Sequence, residues 1–355
     1  MKTKLVYVLT CAPEATYIEQ ALISIWSARY HNSDAHIVLL VDDKTNELLV
    51  GKRAEILKYI SEKQVITFED TNASMMYRSR WIKTQVRELV DGDLLFVDSD
   101  TIIHHPLGDI DTIPHDIAAV PESNLPISQF HPSLFQPMSD TAHKIGWNLA
   151  GEEYYYSSGV IYAKDTPKAH HLFQVWHKYW QDGLKINVPI DQPSLAKANI
   201  ECGHIIQLID NRWNCIMFTY PRKAKEAYIL HFAAYRNMSF LFSKRVLKYI
   251  KENGLTEYIK YYILNPTQSY IPFDSEFYHY RLKDYISRFS ILLKGLKNYA
   301  THIDATFGDY NPKNIVYTLL QKKCLVLAVV AILLLKWKRT RLNKDYKYTE
   351  NICAK

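Results

Sequence analysis

The sequence predicts an α/β protein built on a mostly parallel central sheet flanked by helices. Through the first two thirds of the chain, short apolar runs alternate with amphipathic stretches, as in sheets whose parallel strands are joined by helices. The runs are apolar at nearly every position, which is typical of strands buried on both faces. The predicted strands are Leu5–Leu9, Ile37–Val41, Val65–Phe68, Leu94–Val97, Ile117–Val120, Ser157–Ala163 and Tyr228–Phe232.

The predicted helices follow from capping signals and helical spacing. Thr16 and Glu19 stand three positions apart at the head of an amphipathic stretch, which is the spacing of a capping box. Further helices are expected over residues 45–61, 80–90 and 167–182. Residues 125–140 contain three prolines and are expected to form a loop. Beyond about residue 240 the pattern is helical, without an internal repeat.

Composition and charge limit the function classes. The chain of 355 residues is 48% hydrophobic and 23% charged, as in folded globular proteins, and is long enough for one large domain with an appendage. Its five cysteines show neither metal-ligand spacing nor a disulfide framework, which indicates a reducing compartment. The first residues lack a long apolar segment and predict a strand instead of a secretion signal.

Polar residues that directly follow the predicted strands mark the expected ligand-binding edge. In open α/β sheets, ligands bind beyond the carboxyl ends of the strands. The polar residues at such positions are Thr10, Asp42, Asp43, Asp98, Asp100 and Glu122. Binding and catalytic residues are therefore expected among them.

Three Asp-x-Asp pairs occur, at residues 91–93, 98–100 and 109–111, and only the second directly follows a buried-strand pattern. The other two are expected to be solvated carboxylates in turns. Carboxylates two positions apart on extended backbone point to the same side, where they repel unless a divalent cation lies between them. The pattern therefore predicts a metal site at Asp98 and Asp100, with capping of the following turn as the alternative.

Four segments, in order, resemble glycosyltransferase family 8 and its bacterial relatives. They are Ser79–Thr84 with the strand that ends in Asp98-Ser99-Asp100, then Ser157–Ile161, Asp191–Leu195 and Leu230–Phe232. The resemblance covers about residues 3–240 and implies a GT-A fold, a nucleotide-sugar donor, mostly a UDP-sugar, and retention at the anomeric carbon. The chain departs from the family at Ser157, where Asn is usual, and after His231, where a diphosphate-binding Lys is missing and Arg236 is the expected substitute.

The resemblance implies that His231 completes the metal site, and one imidazole among oxygen ligands favours Mn²⁺ over Mg²⁺. A buried core histidine is the alternative. Arg80 and Lys83 share one helix face and are expected to contact the diphosphate or the donor sugar, unless that face is merely solvated. Asp191 and Gln192 are expected at the donor sugar, with a helix N-cap as the alternative for Asp191. The other expected donor contacts are Thr10, Tyr17, Asp42, Ser158 and Arg236.

Retention by double displacement requires a carboxylate nucleophile, and the amide of Gln192 is a poor one. We therefore expect front-face attack, in which the departing phosphate oxygen takes the proton of the acceptor; Asp191 as nucleophile stays open. Three other classes compete: a haloacid dehalogenase-type phosphatase, a nucleotidyltransferase and a non-catalytic sugar-nucleotide-binding protein. The phosphatase usually has its nucleophilic Asp near the start of the domain, and the nucleotidyltransferase has a Gly-rich basic loop that residues 10–14 lack.

The expected domains are a GT-A catalytic domain over residues 1–240, a helical region over 241–314 and a membrane-associating tail over 315–355. The apolar run Cys324–Leu335 has twelve residues; such a helix is about 18 Å long, shorter than a bilayer core of roughly 30 Å. Trp337 and a cluster of cations follow it and suit anionic headgroups. We expect peripheral binding at the cytoplasmic face of a membrane, a glycan or lipid-linked acceptor of surface polysaccharide or lipopolysaccharide assembly, and no nucleic acid partner. A spanning helix and a buried helix are the alternatives.

Overall fold

The computed structural model describes residues 1–130, 132–217, 221–233, 239 and 241–266. The chain divides into two compact units, residues 1–275 and 276–355. The second unit, and with it the predicted tail over 315–355, lies outside the described residues. Within the described ranges, no helix is both long and apolar enough to cross a membrane.

A seven-stranded sheet forms the centre of the first unit, and a three-stranded sheet adjoins it. The elements in chain order are β1 (Lys4–Leu9), α1 (Tyr17–His31), β2 (Ile37–Asp42), α2 (Asp43–Glu47), β3 (Glu62–Ile66), α3 (Met75–Thr84), α4 (Val86–Leu89), β4 (Leu94–Val97), β5 (Thr101–Ile103), β6 (Ile117–Pro121), α5 (Pro132–Lys144), β7 (Tyr156–Ala163), α6 (Pro167–Lys185), α7 (Gln192–Glu201), β8 (Ile206–Leu208), β9 (Cys215–Ile216), β10 (Ile229–His231), α8 (Lys244–Asn253) and α9 (Glu257–Leu264).

The strand order of the large sheet is β3-β2-β1-β4-β7-β6-β8. Strand β7 is antiparallel to both of its neighbours, and the other pairs in this sheet are parallel. The predicted class, a mostly parallel sheet flanked by helices, is confirmed. In the small sheet, of order β5-β10-β9, His231 at the end of β10 pairs with Thr101, just beyond Asp100.

Both faces of the large sheet are covered, which explains the nearly continuous apolar runs. Leu5, on one face of β1, belongs to a buried cluster that includes residues of α1 and α8. Val6, on the other face, belongs to a second cluster with residues of α3, α4, α6 and α7. Most predicted strands agree with the structure within one or two residues, but β3 begins at Glu62 instead of Val65. This strand lies at an edge and alternates between half-buried and exposed positions, so that apolar content locates it poorly.

The helices differ from the prediction in three places before residue 125. The predicted helix over 80–90 begins earlier, at Met75, and is interrupted at Gln85 between α3 and α4. Thr16 makes no side-chain capping bond, and Glu19 instead accepts hydrogen bonds from Arg53 at 2.7 and 3.2 Å in a buried ion pair. The predicted helix 45–61 is divided into α2 and a 3-10 helix over Gly51–Lys58. Between them Val50 is extended, and Gly51 begins the 3-10 helix with φ of +56°, a left-handed conformation that glycine adopts readily.

The prediction of a loop over residues 125–140 is wrong in its second half, where α5 spans Pro132–Lys144. Pro132 is the first helical residue, a position where the missing N–H group is not needed. Pro137 lies inside the helix and removes only one hydrogen bond near its start. Ala142 packs with Leu149 and Tyr155, so that tertiary packing outweighs the local signal of the prolines.

The helices α8 and α9 follow the small sheet and pack on α1. Leu247 and Ile250 of α8 and Ile259 of α9 are buried in the same apolar cluster as Ile18 of α1. The stretch 244–264 therefore shares the core on one face of the large sheet.

Candidate functional site

A cavity of about 670 Å³ opens at the carboxyl ends of β1 and β4, where the amino end of the antiparallel β7 also lies. Most of the residues that the sequence predicted for the site line it together. They are Thr10, Tyr17, Arg80, Lys83, Asp98, Asp100, Ser158, Asp191, Gln192 and His231.

Two predicted donor contacts are not part of this group. Asp42 is fully buried beside the cavity, where it accepts a hydrogen bond from the Thr45 amide at 3.0 Å and pairs with the guanidinium of Arg78. The expected nucleotide contact at Asp42 is therefore corrected, because its carboxylate caps α2 and anchors α3. Arg236 lies outside the described residues.

Asp98, Asp100 and His231 form a compact group in the cavity that could hold a metal ion, because one possible ligand atom from each lies within 4.8 Å of the others. Asp98 follows β4 directly, and His231 Nε2 lies 3.2 Å from Asp100 Oδ1. The side chain of Asp98 is 31% exposed, whereas those of Asp100 and His231 are 11% and 4% exposed. Two carboxylates and one imidazole, open on the cavity side, fit a divalent cation such as Mn²⁺.

The lack of a side chain at Gly159 allows His231 to lie beside Asp98. The Asp98 amide donates to the Gly159 carbonyl at 2.8 Å, which fixes β7 beside the end of β4. A Cβ atom on Gly159 would lie 2.3 Å from His231 Cε1 and 3.1 Å from Asp98 Oδ2. Any larger residue would force His231 away from the aspartates. The sequence contained Gly159 in a matching segment but gave no sign of this role.

The electrostatics of the cluster are those that a cation relieves. Burial raises the pKa of Asp98, and the nearby Asp100 raises it further, against the opposing charges of Lys83 and His231. Burial alone would lower the pKa of His231, but the hydrogen bond and charge of Asp100 outweigh it, and the pKa is raised. A divalent cation removes the repulsion between the carboxylates and accepts the imidazole lone pair.

Lys83 lies between Asp98, in the group of possible metal ligands, and Asp191. Its side chain is 4% exposed, and its Nζ lies 3.3 Å from Asp98 Oδ1, 3.3 Å from Asp191 Oδ2 and 3.3 Å from Ser158 Oγ. Arg80, one helical turn earlier, places Nε 2.7 Å from Asp191 Oδ1 and is 33% exposed. The alternative of a solvated helix face is therefore wrong for Lys83, and both cations face the cavity.

Asp191 holds these two cations in place. Burial would raise the pKa of Asp191, but Lys83 and then Arg80 outweigh it and set the pKa at about 2. It stands at the N-cap position of α7, yet its side chain makes no capping hydrogen bond there, so the N-cap alternative is wrong. Because both carboxylate oxygens are ion-paired, Asp191 is poorly placed to act as a nucleophile.

Gln192 has a fixed amide orientation. Its Nε2 donates to Glu122 Oε2 at 2.8 Å and to the Tyr156 carbonyl at 3.0 Å. Both partners accept, so the amide nitrogen faces them and Oε1 lies at the opposite end of the group. Glu122 was noted from its position after β6, but no contact with Gln192 was expected.

Two exposed apolar side chains belong to the lining of the cavity. Met76 and Ile190 line it and are 46% and 47% exposed. Trp180 contacts both of the segments that carry these residues. The centroid of its ring lies 5.4 Å from that of Tyr77, and its Nε1 donates to the Pro189 carbonyl at 3.0 Å.

Neither the protein-family models nor the curated proteins contain a match to this chain. Among solved structures, the galactosyltransferase LgtC in complex with donor and acceptor sugar analogs is 13% identical, with 73% of this chain and 99% of that chain covered and a TM-score of 0.48. Mouse xyloside xylosyltransferase 1 is 13% identical over 66% of this chain and 98% of that chain, with a TM-score of 0.42. The glycosyltransferase GlyE of Streptococcus pneumoniae is 17% identical over 76% and 64%, with a TM-score of 0.44. Similarity at this level leaves the chemistry of the cavity to be inferred from its own side chains.

Proposed function

We propose that this protein is a metal-dependent glycosyltransferase that moves a sugar from a nucleotide donor, with UDP as the expected nucleotide, to a glycan or lipid-linked acceptor. The observation that carries the proposal is the cluster of Asp98, Asp100 and His231 in the same cavity as the paired cations Arg80 and Lys83. A cation site beside fixed basic groups suits a diphosphate, which has several negative charges close together.

The donor would be held mainly through its diphosphate. Mn²⁺ (or Mg²⁺) bound by Asp98, Asp100 and His231 would neutralise the diphosphate and stabilise it as a leaving group. Arg80 is held by Asp191 through Nε, which leaves the outer nitrogens of its guanidinium for oxygens of the donor. Lys83 and Ser158, 3.3 Å apart, line the same cavity. Arg236, outside the described residues, is proposed as a further diphosphate contact.

The base and ribose would bind at the end of β1. Thr10 and Tyr17 line this part of the cavity, and the Thr10 hydroxyl is fixed by donation to the Met75 carbonyl at 3.2 Å. Aromatic faces such as that of Tyr17 commonly stack on nucleobases.

Transfer with retention is proposed to follow front-face attack. The acceptor oxygen bonds to the anomeric carbon as the bond from that carbon to the diphosphate oxygen breaks, and the acceptor proton passes to the departing phosphate oxygen. Asp191 is held by two cations and keeps them oriented. Gln192, with its nitrogen fixed, would direct the partial negative charge of Oε1 at the positive charge that develops on the sugar.

The acceptor is proposed to carry an apolar part. The exposed Met76 and Ile190 in the lining of the cavity suit the lipid of a lipid-linked acceptor. We further propose that the tail over 315–355 docks at the cytoplasmic face of a membrane, which together with an apolar acceptor favours a role in surface polysaccharide or lipopolysaccharide assembly. Flotation with anionic liposomes tests this role: the full chain should float, and a version that ends at Lys313 should float less.

The direct test of the activity is a panel of UDP-sugars with Mn²⁺, in which donor hydrolysis without acceptor is measured on the full chain. We expect hydrolysis of at least one donor and its loss with a chelator. A folded protein that hydrolyses no nucleotide sugar but releases phosphate from p-nitrophenyl phosphate would favour the phosphatase class. Failure to bind any sugar nucleotide with Mn²⁺ would contradict the proposal altogether.

A further inference from the structure

Asn214 contacts the edge of the His231 ring that faces away from Asp98 and Asp100. Its side chain is fully buried, just before β9, and its Oδ1 lies 2.9 Å from His231 Nδ1. Its Nδ2 donates to Ser157 Oγ at 3.2 Å. The opposite ring nitrogen, Nε2, lies 3.2 Å from Asp100 Oδ1. The imidazole is therefore held at both nitrogens, by an amide on one side and by the cluster on the other.

The orientation of the amide determines which nitrogen of the imidazole is available to a cation. An amide oxygen opposite Nδ1 can only accept, so Nδ1 must carry a hydrogen. Nε2 can then direct its lone pair at the space shared with Asp98 and Asp100. The reversed amide would favour the hydrogen on Nε2, where it would point at the ligands and block metal binding.

The backbone around Asn214 is fixed by a turn at the end of β6. Asn124 Nδ2 donates to the Asn214 carbonyl at 2.8 Å, and its Oδ1 accepts from the Ile216 amide at 2.9 Å. Ser123 and Asn124 have φ of 59° and 57°, a left-handed conformation that is unfavourable for residues other than glycine and best tolerated by Asn and Asp. The two hydrogen bonds offset that cost and hold the backbone at residues 214 and 216 in place.

We propose that Asn214 is a positioning residue for the metal site: it holds His231 with a hydrogen on Nδ1, so that Nε2 is directed at the cation. The proposal rests on the metal site described above but not on the identity of the donor or of the acceptor. Groups that bond the second nitrogen of a metal-binding histidine orient the ring and raise its basicity, and their loss commonly weakens metal affinity about 10–100-fold.

The test is Mn²⁺ affinity, measured by electron paramagnetic resonance on the full chain without any nucleotide sugar. Asn214→Leu keeps the branched shape of the side chain and removes both hydrogen bonds, and we expect a loss of Mn²⁺ affinity of about 10–100-fold. Asn214→Asp retains an oxygen that accepts from Nδ1, so its Mn²⁺ affinity is expected to stay close to that of the parent. The visible spectrum of bound Co²⁺ should change in Asn214→Leu and stay close to that of the parent in Asn214→Asp.

Asn32→Leu is the matched control, because Asn32 is also buried and its Oδ1 accepts from the Leu107 amide at 2.7 Å, outside the cavity. It should lower the melting temperature and leave Mn²⁺ affinity unchanged. Parental Mn²⁺ affinity in a folded Asn214→Leu protein would overturn the proposal. A tenfold or greater loss of Mn²⁺ affinity in Asn214→Asp would also overturn it, and this second variant decides the outcome if Asn214→Leu does not fold. A parent protein that binds no Mn²⁺ would instead contradict the metal site itself.

Discussion

Gly159→Ala tests how closely the metal cluster depends on the contact between β7 and His231. The added Cβ would lie 2.3 Å from His231 Cε1. Carbon atoms in contact are normally about 3.5 Å or more apart, so the ring must move by roughly 1 Å. Metal–ligand distances tolerate changes of only about 0.2 Å. We therefore expect Mn²⁺ affinity to fall at least tenfold, because a site that requires all three ligands loses one of them.

The fold should survive this change. Overpacking of a buried site commonly costs about 1–3 kcal/mol, which the melting temperature would report. The assay is a Mn²⁺ titration followed by electron paramagnetic resonance, with Gly108→Ala as the control, since a Cβ on Gly108 meets nothing within 4 Å. Parental affinity in a folded Gly159→Ala protein would refute the reasoning, because His231 would then not be held where the structure has it.

Three further predictions concern single residues. His231→Ala should weaken Mn²⁺ affinity at least as much as the loss of an outer-shell partner does, about 10–100-fold, while the protein stays folded; a less stable but folded variant with parental Mn²⁺ affinity would make His231 a core residue only. Asp191→Asn should raise the KM for the donor, because Arg80 and Lys83 lose the carboxylate that both pair with. It should also destabilise the fold by on the order of 2 kcal/mol, since a pKa of about 2 reflects a stabilised carboxylate. An unchanged KM would contradict the positioning role of Asp191. The imidazole of His170 is hydrogen-bonded to Asp165 and Glu88, and these carboxylates raise its pKa. The contribution of His170 to stability is therefore complete below pH 6.5, the ordinary pKa of histidine, and is lost as the pH rises through the raised pKa. The melting-temperature difference between the parent and His170→Gln should accordingly be larger just below pH 6.5, where the partner carboxylates are still charged, than in alkaline solution; a difference that grows as the pH rises would contradict this.

The sequence predicted the fold where burial is the dominant signal. Strand β4 was located at Leu94–Val97 because all four positions are buried, whereas β3 was displaced because its edge position leaves it half exposed. Helix α5 was missed because Pro132 and Pro137 locally favour a loop and the packing of the helix involves residues distant in the sequence. Local patterns therefore locate buried elements better than those whose stability comes from tertiary contacts.

The clustering of Asp98, Asp100 and His231 could be predicted because the two aspartates follow a buried strand and His231 comes later in an order that resembles a known family. The contacts that orient the side chains of the site could not be predicted. Gln192 and Glu122 are 70 residues apart, and Asn214 meets His231 only through the pairing of β9 with β10. The same rule of strand ends that located Asp98 failed at Asp42, because position alone does not distinguish a carboxylate that faces a cavity from one that caps a helix.

The central claim is that Asp98, Asp100 and His231 hold the cation that binds the donor diphosphate. The most direct test is calorimetric binding of UDP with and without Mn²⁺ to the parent, to Asp100→Asn and to Asp93→Asn. Asp93 accepts a hydrogen bond from the Asp165 amide at 2.9 Å at the other end of β4, so it is a better control than Asp111, which holds the amides of Lys2 and Thr3. We predict Mn²⁺-dependent binding in the parent and in Asp93→Asn and its loss in a folded Asp100→Asn protein. Unchanged Mn²⁺-dependent binding in Asp100→Asn, or binding by the parent that does not depend on Mn²⁺, would contradict the account.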